Sequence, residues 1–534
     1  MVRTSTHQLK RRDVLRTTAG GVASAAAILT FGGTVTADDG TQRFLVETRG
    51  NASARIEDAG IQIVRELASG DVLSVDGHES NEDALAANPG VINVVANARL
   101  DLDILDDRPN ELTQATIQGN NDELPTFFDR LWGMERIDAL DAHETATGDG
   151  ARVAVVDTGI HPDHVDLVGN VDEAHSLAFT QGDRIEEDEP QDIHGHGTAV
   201  SGPLAARGAN AVLGVAPDAD LVSIRIFRVI DHVDGVPIIA TTTEDVLLAF
   251  DHVASIDVAA MNFSVGIIPL HPSFNAGGFR GITERLANEI VRSGTLFAAS
   301  TGNEGMDTQR GPLVNFYTDL AGVVGCGGTG PLDERSYYSD YGVPTVGVAA
   351  PAGGHDEFIK SFCGFHEWVA AVLSAEDPDE FEEAFFDAHV EPGDETRVCL
   401  GEDGLPVLDP DPDPEDDHVA ECIDCTAPEY PDPLHLFLTP VFNPALSDVD
   451  DSYGWVAGTS LAAPIVAGIA ALVAEVDPDL HPRGVERAIK NGAELVDGES
   501  SPELGAGRVN AANTVKEVGE VSPSDSASLV FCVS

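Results

Sequence analysis

Lysine is nearly absent from this chain of 534 residues: Lys10, Lys360, Lys490 and Lys516 are all of it. Basic residues number 30 against 91 acidic ones, for a formal charge of −61. A surface so poor in cations repels phosphate backbones and anionic lipid headgroups, which excludes nucleic acid and a charged membrane face as partners. Long apolar runs are scarce as well. Beyond the N-terminus, no stretch approaches the roughly 20 apolar residues that a spanning helix requires. Strongly acidic chains can be disordered. Here 42% of residues are hydrophobic, and long patterned runs argue for a folded chain of two or more domains.

Three motifs carry chemistry. Gly458-Thr459-Ser460-Leu461-Ala462-Ala463-Pro464 opens an Ala-rich run that continues to Ala474 without a polar face. Such a run, as a helix, is buried on all sides. A serine at its mouth meets the positive end of the helix dipole and the unpaired N–H groups of the first turn. By itself that serine reads as an N-cap. Val153-Ala154-Val155-Val156-Asp157-Thr158-Gly159 is a β-type run ending in Asp and a Gly turn. In an open α/β sheet the carboxyl end of a strand is where ligands and chemistry sit. Asp192-Ile193-His194-Gly195-His196-Gly197-Thr198 places glycines on both sides of His196 and leaves its ring accessible. Taken singly, the last two read as a turn aspartate and a loop histidine.

Together the motifs stand in the order Asp, His, Ser, the order of subtilisin. The chain resembles the subtilisin-like serine proteases of the subtilase family. With its acid-rich, lysine-poor composition, which is similar to that of proteins from halophilic organisms, it resembles secreted haloarchaeal subtilases in particular. The resemblance implies Ser460 as nucleophile, His196 as general base and Asp157 as the group that orients the imidazole. His194 is the weaker candidate, because the family's His-Gly-Thr triplet begins at His196. Thr301-Gly302-Asn303-Glu304-Gly305 resembles the family's oxyanion turn, with Asn303 and the Ser460 N–H as donors. Ser264, Val265 and Gly266 fall where the family binds the substrate backbone as an added strand. The fold implied is α/β, a subtilisin-like three-layer fold with a mostly parallel sheet, plus a small α+β propeptide domain at the N-terminus.

The N-terminus reads as a targeting segment over residues 1–37. Arg11 and Arg12 resemble a twin-arginine (Tat) signal, and a short Gly/Ala-rich apolar stretch leads to Val35-Thr36-Ala37. Residues 38–107 alternate strand and helix patterns and resemble the inhibitory propeptide of subtilases, with 108–130 as a processing linker. The catalytic domain is expected over residues 131–520 and a tail over 521–534. Expected partners are protein and peptide substrates and the chain's own propeptide as an intramolecular inhibitor. A monomer without a stable membrane anchor, exported to the extracellular space, is expected.

Two departures from the family stand out. Arg207-Gly208-Ala209-Asn210-Ala211-Val212 replaces the loop that binds calcium in many subtilases, and Asn210 is its one obvious oxygen ligand. The chemistry itself needs no cofactor, and structural calcium elsewhere stays open because Asp and Glu are abundant. Second, an acidic insertion spans about residues 353–452, with an acidic helix expected over 376–389. It holds Cys363, Cys399, Cys422 and Cys425; Cys326 and Cys532 lie outside it. Secretion favours disulfides, whereas Cys422-x-x-Cys425 with Cys363-x-x-His366 also has zinc-ligand spacing. The function expected is a secreted serine endopeptidase active at high salt. The alternatives are a processing protease whose insertion selects one partner, or an inactive binding protein on the same fold.

Overall fold

The computed structural model describes residues 27–34, 41–50, 52–103, 115–116, 130–185, 191–233, 236–267, 278–310, 314–356, 395–400, 406–407, 421–426, 436–441, 452–498 and 500–520. Most of the expected insertion, including Cys363 and the helix expected over 376–389, lies outside the described residues, as does Cys532.

An eight-stranded sheet organises the larger part of the chain. Its spatial order is Asp183–Ile185, Leu177–Thr180, Asp220–Arg225, Arg152–Asp157, Ala260–Phe263, Leu296–Ser300, Val323–Thr329 and Val348–Pro351. Only the Asp183–Ile185 edge runs antiparallel to its neighbour; the other pairings are parallel. A parallel sheet buried on both faces needs apolar residues at every position, and the strands supply them. Val153, Val155, Ala260 and Ala298 face one core, together with the helix Thr459–Val476. Ala154, Val156, Met261, Phe263 and Phe297 face the other, with the helices Thr243–Ser255 and Phe279–Ser293. The period-2 alternation of strand side chains thus builds a three-layer α/β body. Contrary to the expectation that no stretch beyond the N-terminus approaches a spanning length, the helix Thr459–Val476 is long and apolar enough to cross a membrane; 83% of it is buried inside the protein.

Residues 41–103 form a smaller α+β unit. Its antiparallel sheet has the order Gln62–Leu67, Val72–His78, Thr41–Thr48, Val91–Ala96. Phe44, Val46, Leu73 and Val75 pack against Ile56 and Leu85 of its short helices in a core of their own. The intervening Leu45 faces the other way, into the core under Thr243–Ser255 and Phe279–Ser293. The join is also charged. Glu244, buried at the start of its helix, receives Arg43 at 2.7 Å and Ser74 Oγ at 2.5 Å. Asn97 Oδ1 accepts the Glu244 N–H at 3.0 Å and the Thr243 hydroxyl at 2.8 Å, so the small unit caps a helix of the large one.

Ala27–Thr34, within the expected targeting segment, is a strand: it pairs antiparallel with Ala98–Asp103 and parallel with Val265–Ile267. An edge with unpaired backbone groups recruits any nearby extended segment, and here the chain's own N-terminal stretch occupies the edge expected to bind substrate. Within the insertion, the antiparallel strands Glu395–Leu400 and Glu421–Thr426 set Cys399 opposite Cys422 and Cys425 opposite Thr396. Cys326 is a free, buried thiol. Among the described residues no cluster of His, Cys, Asp or Glu could hold a metal ion.

Candidate active site

Strand order reverses at Arg152–Asp157: the chain continues to Asp220–Arg225 on one side and to Ala260–Phe263 on the other. A crevice at the carboxyl ends of such strands is the natural site for chemistry. Asp157 ends the central strand and is fully buried. Its Oδ1 accepts the Thr158 N–H at 2.7 Å and pairs with His196 Nδ1 at 2.8 Å. A neutral imidazole that donates through Nδ1 carries its basic lone pair on Nε2.

A second aspartate holds this pair in register. Asp192 Oδ1 accepts the N–H groups of His194 and Gly195, at 2.9 and 2.8 Å, and the Thr158 hydroxyl at 2.8 Å. Its Oδ2 accepts the Thr198 N–H at 2.9 Å and hydroxyl at 2.6 Å. Asp192 thereby caps the helix His196–Ala205 and ties it to Thr158, the neighbour of Asp157. Gly197 is required at this junction: a Cβ there would lie 1.9 Å from the Gly159 carbonyl oxygen. His194 is buried in the same turn, and its backbone, like that of Gly195, is fixed by Asp192. It is His196, not His194, that meets Asp157.

Ser460 is the second residue of Thr459–Val476, whose N-cap is Gly458. The serine is therefore not the cap that its motif alone suggests. Its Oγ donates to the Ser264 carbonyl at 3.0 Å, and Ser264 Oγ donates back to the Ser460 carbonyl at 2.8 Å. Pro464 explains the second bond. It sits four residues after Ser460 and has no N–H, so the Ser460 carbonyl lacks its helical donor. Ser264 fills that place. Asn303 follows the strand Leu296–Ser300, and its Oδ1 accepts both the Thr459 N–H at 2.8 Å and the Thr459 hydroxyl at 2.9 Å. That commits the oxygen end of the amide and directs Nδ2 away from Thr459. Val265 and Gly266 lie beside Ser264 on the strand Val265–Ile267.

The altered loop fails the test for calcium. The N–H groups of Asn210, Ala211 and Val212 converge on the buried Asp166 carboxylate at 2.6, 3.0 and 3.0 Å. The Tyr453 hydroxyl adds a fourth bond at 2.7 Å. A cation needs oxygen acceptors, whereas this loop offers donors, and the carboxylate it surrounds is already saturated. Neither Asp192 nor Tyr453 was singled out from sequence. An Asp four residues before His196 has the form of a helix-start signal; Tyr453 carries no such signal.

The profile of the Subtilase family (peptidase S8) matches residues 148–375 and 446–507, more than half of the chain. Thermitase from Thermoactinomyces vulgaris is 30% identical over 227 residues, which cover 42% of this chain and 72% of that protein. Serine protease AprX from Bacillus subtilis (strain 168) is 27% identical over 382 residues, covering 70% of this chain and 67% of the relative. Among solved structures, the epidermin leader peptide processing serine protease EpiP from Staphylococcus aureus aligns with a TM-score of 0.60 at 18% identity, over 89% of this chain and 98% of that one. Fervidolysin from Fervidobacterium pennivorans aligns with a TM-score of 0.55 at 17% identity, over 93% of this chain and 63% of that one. At these identities the two structures speak for the fold.

Proposed function

Starting from a chain that belongs to the subtilase family and is a serine endopeptidase, we propose that Asp157, His196 and Ser460 are its catalytic triad. The observation that carries this reading is the buried 2.8 Å pairing of Asp157 Oδ1 with His196 Nδ1 at the switch point of the sheet. His196 Nε2 takes the Ser460 proton as Oγ leaves the Ser264 carbonyl and attacks the peptide carbon. Negative charge develops on the carbonyl oxygen, where Asn303 Nδ2 and the Ser460 N–H receive it. His196 then protonates the leaving amine, and water hydrolyses the acyl-enzyme. Asp157 holds the imidazole in the required tautomer and stabilises the imidazolium. No step calls for a metal or a cofactor.

Residues 41–103 act in this reading as an intramolecular inhibitor. Two observations support it. The buried carboxylate of Glu244 in the large body pairs with Arg43 and Ser74 of the small unit. The strand Ala98–Asp103 also pairs along residues 240–242 of the large body and carries the chain onward toward the site. Release then requires cleavage after residue 103. Export through the twin-arginine motif, and activity in brine, complete the proposal. At about 0.01 M salt the screening length is roughly 30 Å, so a charge of −61 repels itself across the whole body; at about 1 M it is roughly 3 Å.

The test is hydrolysis of casein in molar NaCl by the purified full chain, with and without a serine-directed fluorophosphonate. Labelling should map to Ser460, and mass spectrometry should find the active species shortened past residue 103. Activity should fade as NaCl is diluted toward 0.1 M. Labelling at another serine would reject the triad. An active enzyme that retains residues 41–103 would reject the inhibitor role. Full activity in dilute buffer would reject only the dependence on brine.

A further inference from the structure

Behind Asn303 two acidic side chains meet that the triad does not use. Glu304 follows Asn303, and Asp340 arrives fully buried from the loop after Val323–Thr329. The two segments are laced together. Asp340 N–H donates to the Gly302 carbonyl at 3.1 Å, Gly305 N–H to Tyr338 at 2.5 Å, and Tyr341 N–H to Met306 at 2.9 Å. Asp340 Oδ1 accepts the Met306 N–H at 2.8 Å, and Glu304 Oε2 accepts the N–H of Asn303 itself at 3.1 Å. Asp340 Oδ2 is buried beside the Glu304 carboxyl without a hydrogen-bond donor from the surrounding backbone or side chains among the described residues. The two carboxyl groups crowd the same spot: a Cβ added to Gly302 would lie 2.6 Å from Asp340 Oδ2 and 2.9 Å from Glu304 Oε2. Gly302, at φ 104°, is the residue that leaves them room.

Two carboxyl groups buried this close together avoid direct repulsion only when one of them carries a proton, which then has the other as its nearest acceptor. The surrounding charges do not relieve the pair. Arg335 is turned onto the Tyr341 ring at 4.4 Å, with Nη1 on the carbonyls of Ser336, Tyr337 and Ser339. Its Nε faces Glu503 at 3.8 Å. Asp307 accepts the N–H groups of Gln309 and Arg310, His355 pairs with Glu334, and the first turn of Thr459–Val476 has no acidic residue. Burial, and then the charge of Glu304, push Asp340 up to about 9; burial raises Glu304 as well. The two titrate as a pair.

We propose that Glu304 and Asp340 are positioning residues that hold one proton between them and, through it, hold the Asn303 backbone in place for oxyanion binding. The proposal rests on the reading of Asn303 as oxyanion donor. While the proton is present, one carboxyl donates to the other and Glu304 Oε2 keeps the Asn303 N–H. When it is lost, two buried carboxylates stand side by side and repel. Glu304 then moves off, Asn303 N–H loses its acceptor, and the loop loosens beside Thr459. Turnover therefore falls at alkaline pH with KM unchanged, because the displaced donor acts on the transition state.

The test compares the parent with Asp340→Asn in molar NaCl, each normalised to its own turnover at neutral pH. An amide in place of Asp340 keeps a donor toward Glu304 and removes the titration. Between about pH 7.5 and 10.5, kcat of the parent should fall roughly ten-fold and that of Asp340→Asn less than about two-fold. A second measurement is independent of activity. In Ser460→Ala protein, which cannot digest itself, pH-difference infrared spectra should lose a protonated-carboxyl band over the same range. The band should be missing from Ser460→Ala/Asp340→Asn. The same alkaline decline in both enzymes, or no such band, overturns the proposal. Asn303→Ala separates the two claims: full activity in that variant defeats the oxyanion reading, and the infrared band still reports whether the proton is shared.

Discussion

Asp157 and His196 meet through a frame of bonds that closes within residues 157–198, with Asp192 at its centre. Ser460 and Asn303 are held otherwise. Their bonds reach Ser264 and Thr459, 196 and 156 residues away along the chain. The proposed base is fixed locally, in one strand–turn–helix passage. The proposed nucleophile and oxyanion donor come together only after the sheet and its core helix have assembled. The two halves also differ in readiness. The imidazole already has its aspartate, while the Ser460 hydroxyl points at the Ser264 carbonyl and must turn before it can react.

The largest effects should come from removing either half outright. Ser460→Ala and His196→Ala should each lower kcat on casein by at least about 10⁴-fold, since neither half forms an acyl-enzyme alone. His194→Ala should be far milder; the reverse ranking would move the base to His194. Next comes the donor. Asn303→Ala should lower kcat by about 10²–10³-fold, the size known for such a donor in subtilisin, with KM little changed.

Asp192→Ala tests the local frame. It strips five donors of their acceptor in a buried turn, so urea unfolding should show a loss of about 2 kcal/mol. Turnover should drop with stability. An Asp192→Ala protein as stable and active as the parent would show that the frame does not depend on Asp192. The smallest effect expected is none: chelation by EDTA in brine should leave the melting temperature unchanged if Asp166 needs no cation. A clear drop would place a structural metal outside that loop.

Much of this was legible in the chain because glycines and small residues mark places where backbones must approach. Gly195 and Gly197 around His196, Gly458 before Ser460 and Gly302 before Asn303 flag the turns of the candidate site. The apolar runs at Val153 and Leu296 announce buried parallel strands. The partners were harder to find. Tyr453 meets Asp166 across 287 residues, and Asp340 reads as an ordinary turn aspartate until the fold sets it against Glu304. Asn97 caps a helix that begins 146 residues later. Such contacts are made by topology, not by local pattern. The pairing of Ala27–Thr34 is of the same kind: a short Gly- and Ala-rich stretch has little preference of its own, and the open edge at Val265–Ile267 decides its conformation.

The nest around Asp166 has a consequence for how the enzyme's durability responds to its surroundings. A loop closed by an ion is stabilised by mass action, so its free energy follows the ion's activity and the ion's competitors. A loop closed by its own amides and by Tyr453 Oη has no such term. Chelators, precipitating anions and the divalent content of the medium then leave it indifferent. What can open it is loss of the strand Ser452–Val456, which carries Tyr453 and directly follows the insertion. The resistance of the Asp166 loop is thereby linked to how the insertion returns to the core.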